Sequence, residues 1–124
     1  MKWNINEQVG EKITIATKRG ILCFDVERIK YIICEGHYCN IYLIDETNHR
    51  VRRSLKFFKQ KLGKDKFFHN TRNMLINTRY INDGQFAATK KTIHLKATKT
   101  ESVPVSKRRV TEFKQFIASP PSSL

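Results

Sequence analysis

The segment with the clearest chemical meaning is VPVSKRR, residues 103–109, in which three consecutive cations follow a serine. Ser106 is a typical helix N-cap, so the pattern predicts a helix with Lys107, Arg108 and Arg109 in its first turn. The N-terminus of a helix is already partly positive, and cations there are disfavoured by about 0.3–1 kcal/mol each. A phosphate could bind both the free backbone N–H groups and the side-chain cations. The segment therefore predicts an anion site, with a merely solvated cationic surface as the alternative.

Two other segments are also rich in cations. Between His49 and Lys66, Asp65 is the only acid, and the cations there are Arg50, Arg52, Arg53, Lys56, Lys59, Lys61, Lys64 and Lys66. A smaller group consists of Arg72 and Arg79. A simpler interpretation of Arg50, Arg52 and Arg53 is that their charge keeps an edge strand soluble. The lysines that follow could form the solvated face of a helix.

The overall composition fits one folded domain with a polyanionic partner. The chain has 124 residues, 40% of them apolar, and 24 Lys and Arg against 11 Asp and Glu give a net charge of +13. Such a charge predicts binding to nucleic acid or to an anionic membrane surface. The sequence has no apolar run of the roughly 18–20 residues that a membrane span needs, and its N-terminus lacks the apolar region of a signal peptide.

The three cysteines are Cys23, Cys34 and Cys39. An odd number without a secretory signal is typical of reduced thiols in a cytosolic protein. We therefore expect neither a disulfide nor a metal cluster, and no cofactor.

The hydrophobic pattern has a period of two over most of the chain, which indicates strands. Predicted strands cover 13–17, 21–24, 30–34, 40–45, 50–54, 92–96 and 101–105, with short strands and loops over 67–81. A helix is predicted after Ser54, ending at Gly63, because Leu55, Phe58 and Leu62 share one face. A C-terminal helix follows Ser106, with Val110, Phe113 and Ile117 as its apolar stripe and Pro120 and Pro121 as its end. The pattern alone predicts a mainly β domain, either a small sandwich or a barrel-like arrangement.

Four motifs in order resemble the LytTR family of DNA-binding domains. The matching segments are Glu35-Gly36-His37-Tyr38, Ser54-Leu55, the stretch from Phe67 or Phe68 through Thr71-Arg72-Asn73 and Leu75-Ile76-Asn77 to Ile81, and Pro104-Val105-Ser106-Lys107-Arg108. The resemblance covers about residues 12 to 117. The sequence departs from the family pattern at Thr71, Asn73 and Lys107, where the family has His, Ser and Arg.

This resemblance implies a mainly β fold, an elongated stack of small antiparallel sheets with one short internal helix and a short C-terminal helix. It places an N-terminal leader at 1–11, the DNA-binding domain at 12–118 and a disordered tail at 119–124. It also implies that loops read DNA, with the two end loops in successive major grooves and the intervening face over the minor groove.

The DNA contacts follow by position in the motifs. The resemblance implies His37, Tyr38, Cys39 and Asn40 in the first loop, Arg72 with Thr71 and Asn73 in the centre, and Lys107 and Arg108 in the last loop, with a base or a phosphate left open for Lys107. Basic residues elsewhere are expected to contact phosphates; among them are Arg52, Arg53 and Arg109, the last of which could also be only solvated. Arginine can bind guanine O6 and N7 with two hydrogen bonds, and asparagine can do the same with adenine.

Several of these residues have a simpler interpretation. His37 and Tyr38 could only shape a tight turn, Cys39 could be a buried apolar residue, and Arg72 could pair with Asp83. Asn77 and Asn82 are interpreted as turn formers. The aromatic residues Phe67, Phe68 and Tyr80 are interpreted as core.

The resulting hypothesis is a sequence-specific regulator of transcription that binds double-stranded DNA in the cytoplasm. The resemblance implies paired direct repeats as the target, a monomer or weak dimer without DNA, and a receiver domain or sensor kinase that this chain does not contain.

The alternative from another class is a nonspecific single-strand or RNA binder, which would need exposed aromatic side chains on a basic sheet. A membrane-surface module is disfavoured because the apolar face of the lysine-rich helix is needed for the core. An enzyme is not expected, because the four histidines lack catalytic or metal-binding spacing.

Overall fold

The computed structural model describes residues 11–63, 65–81 and 92–118, with only the backbone for 117 and 118. Nine strands and two α-helices are present in these ranges: β1 Lys12–Thr17, β2 Gly20–Asp25, β3 Ile29–Glu35, β4 Tyr38–Leu43, β5 Asn48–Val51, α1 Leu55–Leu62, β6 Phe67–Thr71, β7 Met74–Asn77, β8 Thr92–Lys96, β9 Thr100–Pro104 and α2 Val110–Ala118. The predicted tail 119–124, Asn82, Asp83, Pro120 and Pro121 lie outside the described residues, as does the predicted leader apart from residue 11.

The described strands form three antiparallel sheets. The central sheet has five strands in the order β5-β4-β3-β7-β6, and the hairpins β1-β2 and β8-β9 form a two-stranded sheet each. The prediction of a mainly β fold built from small antiparallel sheets with two short helices is confirmed. A closed barrel, one of the two arrangements expected from the strand pattern alone, does not form among the described strands, because β5 and β6 are edge strands of an open sheet.

The central sheet is covered on both faces because its strands alternate. On one face Ile32 and Leu75 pack with Ile15 of the β1-β2 hairpin and Phe58 of α1. The other face carries the second apolar cluster. Its buried residues are Phe68, Met74, Ile76, Ile93, Leu95, Val103, Val105 and Phe113. Side chains at successive strand positions point to opposite faces, so adjacent residues such as Phe67 and Phe68 supply different clusters.

The strand predicted over 50–54 was placed too late in the chain. The observed strand β5 is Asn48–Val51, and Tyr42 pairs with Asn48 at its start. Glu46 adopts a positive φ of 72°, which turns the chain early enough for pairing to begin at Asn48. Ser54 is extended but belongs to the start of α1, since its Oγ accepts a hydrogen bond from the N–H of Phe57.

Ser106 does not cap a helix through its side chain, contrary to the sequence interpretation. Its backbone carbonyl accepts from the N–H of Arg109 at 2.8 Å, which forms a 3-10 turn over Lys107–Arg109 before α2 begins at Val110. The three cations therefore precede the α-helix instead of occupying its first turn.

The two serines provide a matched test of capping. We expect Ser54→Ala to lower the free energy of unfolding by about 1 kcal/mol, because it removes the hydrogen bond to the Phe57 N–H. Ser106→Ala is the control and should change stability by less than about 0.5 kcal/mol. Urea unfolding monitored by circular dichroism measures both values. An equal loss for the two variants would contradict the assignment of Ser54 as the cap.

A buried lysine connects the central sheet to the β8-β9 hairpin. The Lys30 side chain on β3 is 2% exposed, and its Nζ contacts Glu101 on β9 and Glu46 in the β4-β5 turn, the latter at 3.2 Å. Burial alone would lower the pKa of Lys30, but the hydrogen bonds to Glu101 and Glu46 outweigh it and raise the pKa above 10.5. The pKa of Glu46 is lowered, most strongly by the hydrogen bond from the Thr98 hydroxyl and next by the hydrogen bond from Lys30. These charges hold two sheets together that share no backbone ladder.

Candidate nucleic-acid interface

The segments that carry the predicted DNA contacts meet at one end of the central sheet. The β3-β4 turn holds Gly36 and His37, and the β6-β7 turn holds Arg72 and Asn73. The N–H of Cys34, at the end of β3, donates to the carbonyl of Asn73 at 2.8 Å, which joins the two turns directly. Because β5 runs antiparallel to β4, its end also reaches this edge, where Val51 pairs with Cys39.

The segment containing Lys107 and Arg108 is attached to the same end of the sheet. Asn70 on β6 makes both connections: its carbonyl accepts from the N–H of Ser106 at 2.9 Å, and its Nδ2 donates to the carbonyl of Pro104 at 2.8 Å. Asn70 is fully buried and lies immediately before Thr71. The basic turn is therefore fixed beside the β6-β7 turn by two hydrogen bonds.

The cations at this end of the sheet are largely available to a ligand. Arg72, Lys107 and Arg108 are exposed, and their side chains make no hydrogen bond or ion pair with any of the residues that the structure describes. Arg109 is half-buried and pairs with Glu112 at 3.0 Å. Asp83, the alternative partner of Arg72, lies outside the described residues.

Arginines of β5 and its following turn flank the first predicted loop. The guanidinium of Arg50 lies 4.3 Å from the centre of the Tyr38 ring, and that of Arg52 lies 5.8 Å away. Such cation–π contacts hold a guanidinium in place without neutralising its charge. Arg50 was not among the predicted contacts, although its spacing of two from Arg52 was a signal that both lie on one face.

The remaining predicted contacts have different environments. His37 is exposed, whereas Tyr38 and Asn40 are half-buried. In the central turn, the Thr71 hydroxyl donates to Asn73 Oδ1 at 2.9 Å, so the side chains on either side of Arg72 bind each other. The Arg53 guanidinium donates to the carbonyl of Ala16 at 2.6 Å, so it links the segment before α1 to the β1-β2 hairpin. The turn of that hairpin carries two further exposed cations, Lys18 and Arg19, which the sequence reasoning did not single out.

Cys39 differs most from its predicted role. Its side chain is fully buried and forms a disulfide with Cys34, contrary to the expectation of reduced thiols. The β3-β4 register places the two cysteines directly opposite each other, with Cα atoms 3.9 Å apart. That register depends on a two-residue turn in which Gly36 has a φ of 59°, which a spacing of five residues does not reveal. Cys23 is free and exposed.

Of the other residues interpreted as structural, Phe67, Phe68 and Asn77 are buried, whereas Tyr80, interpreted as core, is only half-buried in a 3-10 turn. The Asn77 Oδ1 accepts from the N–H of Arg79 while its Nδ2 donates to the carbonyl of Ile29 at 2.8 Å. The Tyr80 hydroxyl donates to the carbonyl of Glu27.

The described residues present an exposed cationic surface and no assembled metal site. No group of three or more His, Cys, Asp or Glu side chains within 11–63, 65–81 and 92–118 is arranged to hold a metal ion. In the same ranges, neither helix has the length and apolar character needed to cross a bilayer.

Comparison with known proteins identifies the family. The model of the LytTr DNA-binding domain family matches residues 19–118. Among solved structures, a similar one is the LytTr DNA-binding domain of a Bacillus cereus protein described as a methyl-accepting/DNA response regulator. It has a TM-score of 0.69 and 22% identity, and the alignment covers 87% of this chain and 97% of that one. No curated protein matches the sequence.

The fold and its basic end thus define a DNA-binding domain of the kind used in transcription regulation. The chain belongs to the LytTR family of DNA-binding domains. This family is one of DNA-binding domains and not of enzymes.

Proposed function

We propose that this domain regulates transcription by reading the base sequence of double-stranded DNA with the basic end of its central sheet. The observation that supports this most strongly is the convergence of three turns, at residues 36–37, 72–73 and 107–109, through hydrogen bonds of Cys34 and Asn70. Turns that project from a rigid sheet can enter grooves without a recognition helix. Their fixed spacing also provides the register that sequence recognition requires.

The contacts divide by chemistry into base readers and phosphate contacts. Arg72 is the central base reader, because it is exposed, has no partner among the described residues and can bind guanine through two hydrogen bonds. His37, Tyr38, Asn40, Thr71 and Asn73 form the surface on either side of it. The proposed phosphate contacts are Arg50, Arg52, Lys107, Arg108 and Arg109, with Arg53 contributing mainly as a link to the β1-β2 hairpin. Cys39 positions the first loop from the core.

Further parts of the proposal rest on the family. We propose paired direct repeats as the target, a monomer or weak dimer in the absence of DNA, control by a receiver domain or sensor kinase outside this chain, and a cytoplasmic location.

The aromatic residues favour duplex DNA over a single strand. Every phenylalanine and tyrosine within the described ranges is at least partly buried, and Tyr38 is covered by Arg50. A nonspecific single-strand or RNA binder instead presents exposed rings on which bases stack. Selection of bound duplexes from a random library, with an RNA pool as competitor, tests the choice. We expect one duplex motif to be enriched. If no motif is enriched, or if the RNA pool competes the duplexes off the protein, the proposal is overturned.

The basic turn should act mainly through phosphates. We expect Lys107→Gln and Arg108→Gln each to reduce the slope of log affinity against log salt concentration by about one unit, since each phosphate contact releases about one counterion. Lys12→Gln is the control, because Lys12 pairs with Asp25 at 2.6 Å at the far end of β1 and should leave the slope unchanged. Fluorescence anisotropy at several salt concentrations measures the slopes. A changed base preference with an unchanged slope would instead make the residue a base reader.

A further inference from the structure

A cleft lies between α1, β6 and α2, next to the turn that contains Arg109. Its volume is about 330 Å³, which falls at the lower end of the roughly 300–1,000 Å³ typical of small-molecule sites. Its apolar lining includes Phe67, Phe68 and Phe116. The Phe68 and Phe116 rings are tilted against each other with their centres 5.5 Å apart.

Charged side chains at the same cleft make it positive. Lys59 from α1 and Arg109 from the turn before α2 face one carboxylate, that of Glu112, which pairs with Arg109 at 3.0 Å. One positive charge of this group is therefore uncompensated. The cleft therefore favours an anionic ligand.

His69 adds a polar group to the cleft lining. Lys59 Nζ lies 3.5 Å from His69 Nδ1, a geometry in which the ammonium donates to the ring. Burial is the largest cause that lowers the pKa of His69 below 6.5; a backbone hydrogen bond with Arg72 opposes it, and the charges of Arg109 and Lys59 add to the lowering. His69 therefore adds a polar ring to the cleft lining and not a further cation at pH 7.

We propose that this cleft binds a small aromatic carboxylate. The ring of the ligand packs against the phenylalanines, and its carboxylate accepts hydrogen bonds from Lys59 and Arg109, with the His69 ring beside it. A free phosphate would satisfy the cations but would leave the apolar lining unused, so an anion with an apolar body is the better match. This site does not rest on the proposed function and can be tested without DNA, although it shares Arg109 with the proposed phosphate contacts.

The test is a titration of the isotope-labelled domain with phenylacetate, followed by the backbone amide and aromatic NMR signals. Phenylacetamide is the matched neutral ligand. We expect saturable shifts at His69 and Phe116 with phenylacetate, and about tenfold weaker binding of the amide, since a charge-assisted hydrogen bond contributes about 1.5–3 kcal/mol and 1.4 kcal/mol is tenfold.

Two charge variants separate a built site from general attraction to a basic protein. Arg109→Gln and Lys59→Gln should weaken phenylacetate several-fold without affecting phenylacetamide. Lys114→Gln removes an exposed cation of α2 that does not line the cleft, and it should change neither affinity. The amide spectrum of each free variant shows whether it is folded. The proposal is overturned if phenylacetate and phenylacetamide bind with equal affinity or if the shifts do not saturate. It is also overturned if Lys114→Gln weakens phenylacetate binding as much as Arg109→Gln and Lys59→Gln do.

Discussion

Arg72→Ala will lower the affinity of the domain for its selected duplex by about 10- to 100-fold, which corresponds to the roughly 1–3 kcal/mol of one bidentate base contact. Weak binding to unrelated duplexes should remain, because the phosphate contacts that supply it are on other residues. The selectivity of the domain should therefore fall by nearly the same factor as its affinity. The measurement is a pair of binding curves at one salt concentration, with the selected duplex and with a scrambled duplex.

Arg79 offers a control of the same residue type at the opposite end of β7. It is exposed, follows Asn77 in a 3-10 turn, and lies 3.9 Å from Glu27. Arg79→Ala removes the same charge from the protein and should reduce affinity for the two duplexes little and equally. If the two alanine variants behave alike, Arg72 contributes only to the overall charge and its role as a base reader is contradicted.

Arg72→Lys distinguishes planar recognition from charge. Lysine keeps the positive charge but cannot form the two parallel hydrogen bonds that a guanidinium forms with one guanine. We expect this variant to keep its nonspecific affinity and to lose most of the discrimination at one base pair. Wild-type discrimination in Arg72→Lys would mean that Arg72 contacts a phosphate.

The parts of the fold that follow from local sequence were predicted correctly. Alternation identified the strands, and α1 was predicted from its cap and its apolar face, because each of these signals lies within a few neighbouring residues. The error at β5 arose at Glu46, whose positive φ is unusual for a residue that is not glycine. Ser106 was misassigned because its role depends on a hydrogen bond to Asn70, far away in the chain.

The candidate site could be predicted as a set of residues but not as an arrangement. Basic segments were visible in the sequence, yet their convergence depends on the pairing of β3 with β7 and on the side chain of Asn70. Arg50 was missed as a site residue because its position over Tyr38 requires the register of β4 with β5. Lys30 was equally invisible, since a lysine in a strand is ordinarily exposed and only the fold brings two carboxylates to it.

Lys30 leads to the second large effect, which concerns stability. Glu101→Gln should lower the free energy of unfolding by about 3 kcal/mol, because it removes the more buried of the two carboxylates that pair with Lys30 and leaves only the more exposed Glu46. Glutamine keeps an oxygen that can accept from the Tyr31 hydroxyl, now 2.9 Å from Glu101 Oε1, so the loss reports mainly on Lys30. Urea unfolding at pH 7 measures it, and DNA binding by the folded fraction should be unchanged.

The pH dependence of stability gives an independent test of the same charges. The pKa of Glu46 is lowered in the folded state, so its contribution is present above its unfolded pKa near 4.5 and is lost as the pH falls through the folded value. The pKa of Lys30 is raised, so its contribution is present below 10.5 and is lost as the pH rises through the folded value. Glu46→Gln should therefore flatten the stability profile below about pH 4.5.

The double variant Lys30→Met with Glu101→Gln decides whether charge is the cause. Replacing a whole buried ion pair with groups of similar size is often neutral, whereas breaking it is costly. We therefore expect the double variant to be more stable than Glu101→Gln alone, although it has lost one more native side chain. Glu46, which is largely exposed at 41%, can be solvated once Lys30 is removed. If the losses of stability caused by the two substitutions are instead additive, the loss in Glu101→Gln comes from packing at β9. The ion pair would then not hold the hairpin to the sheet.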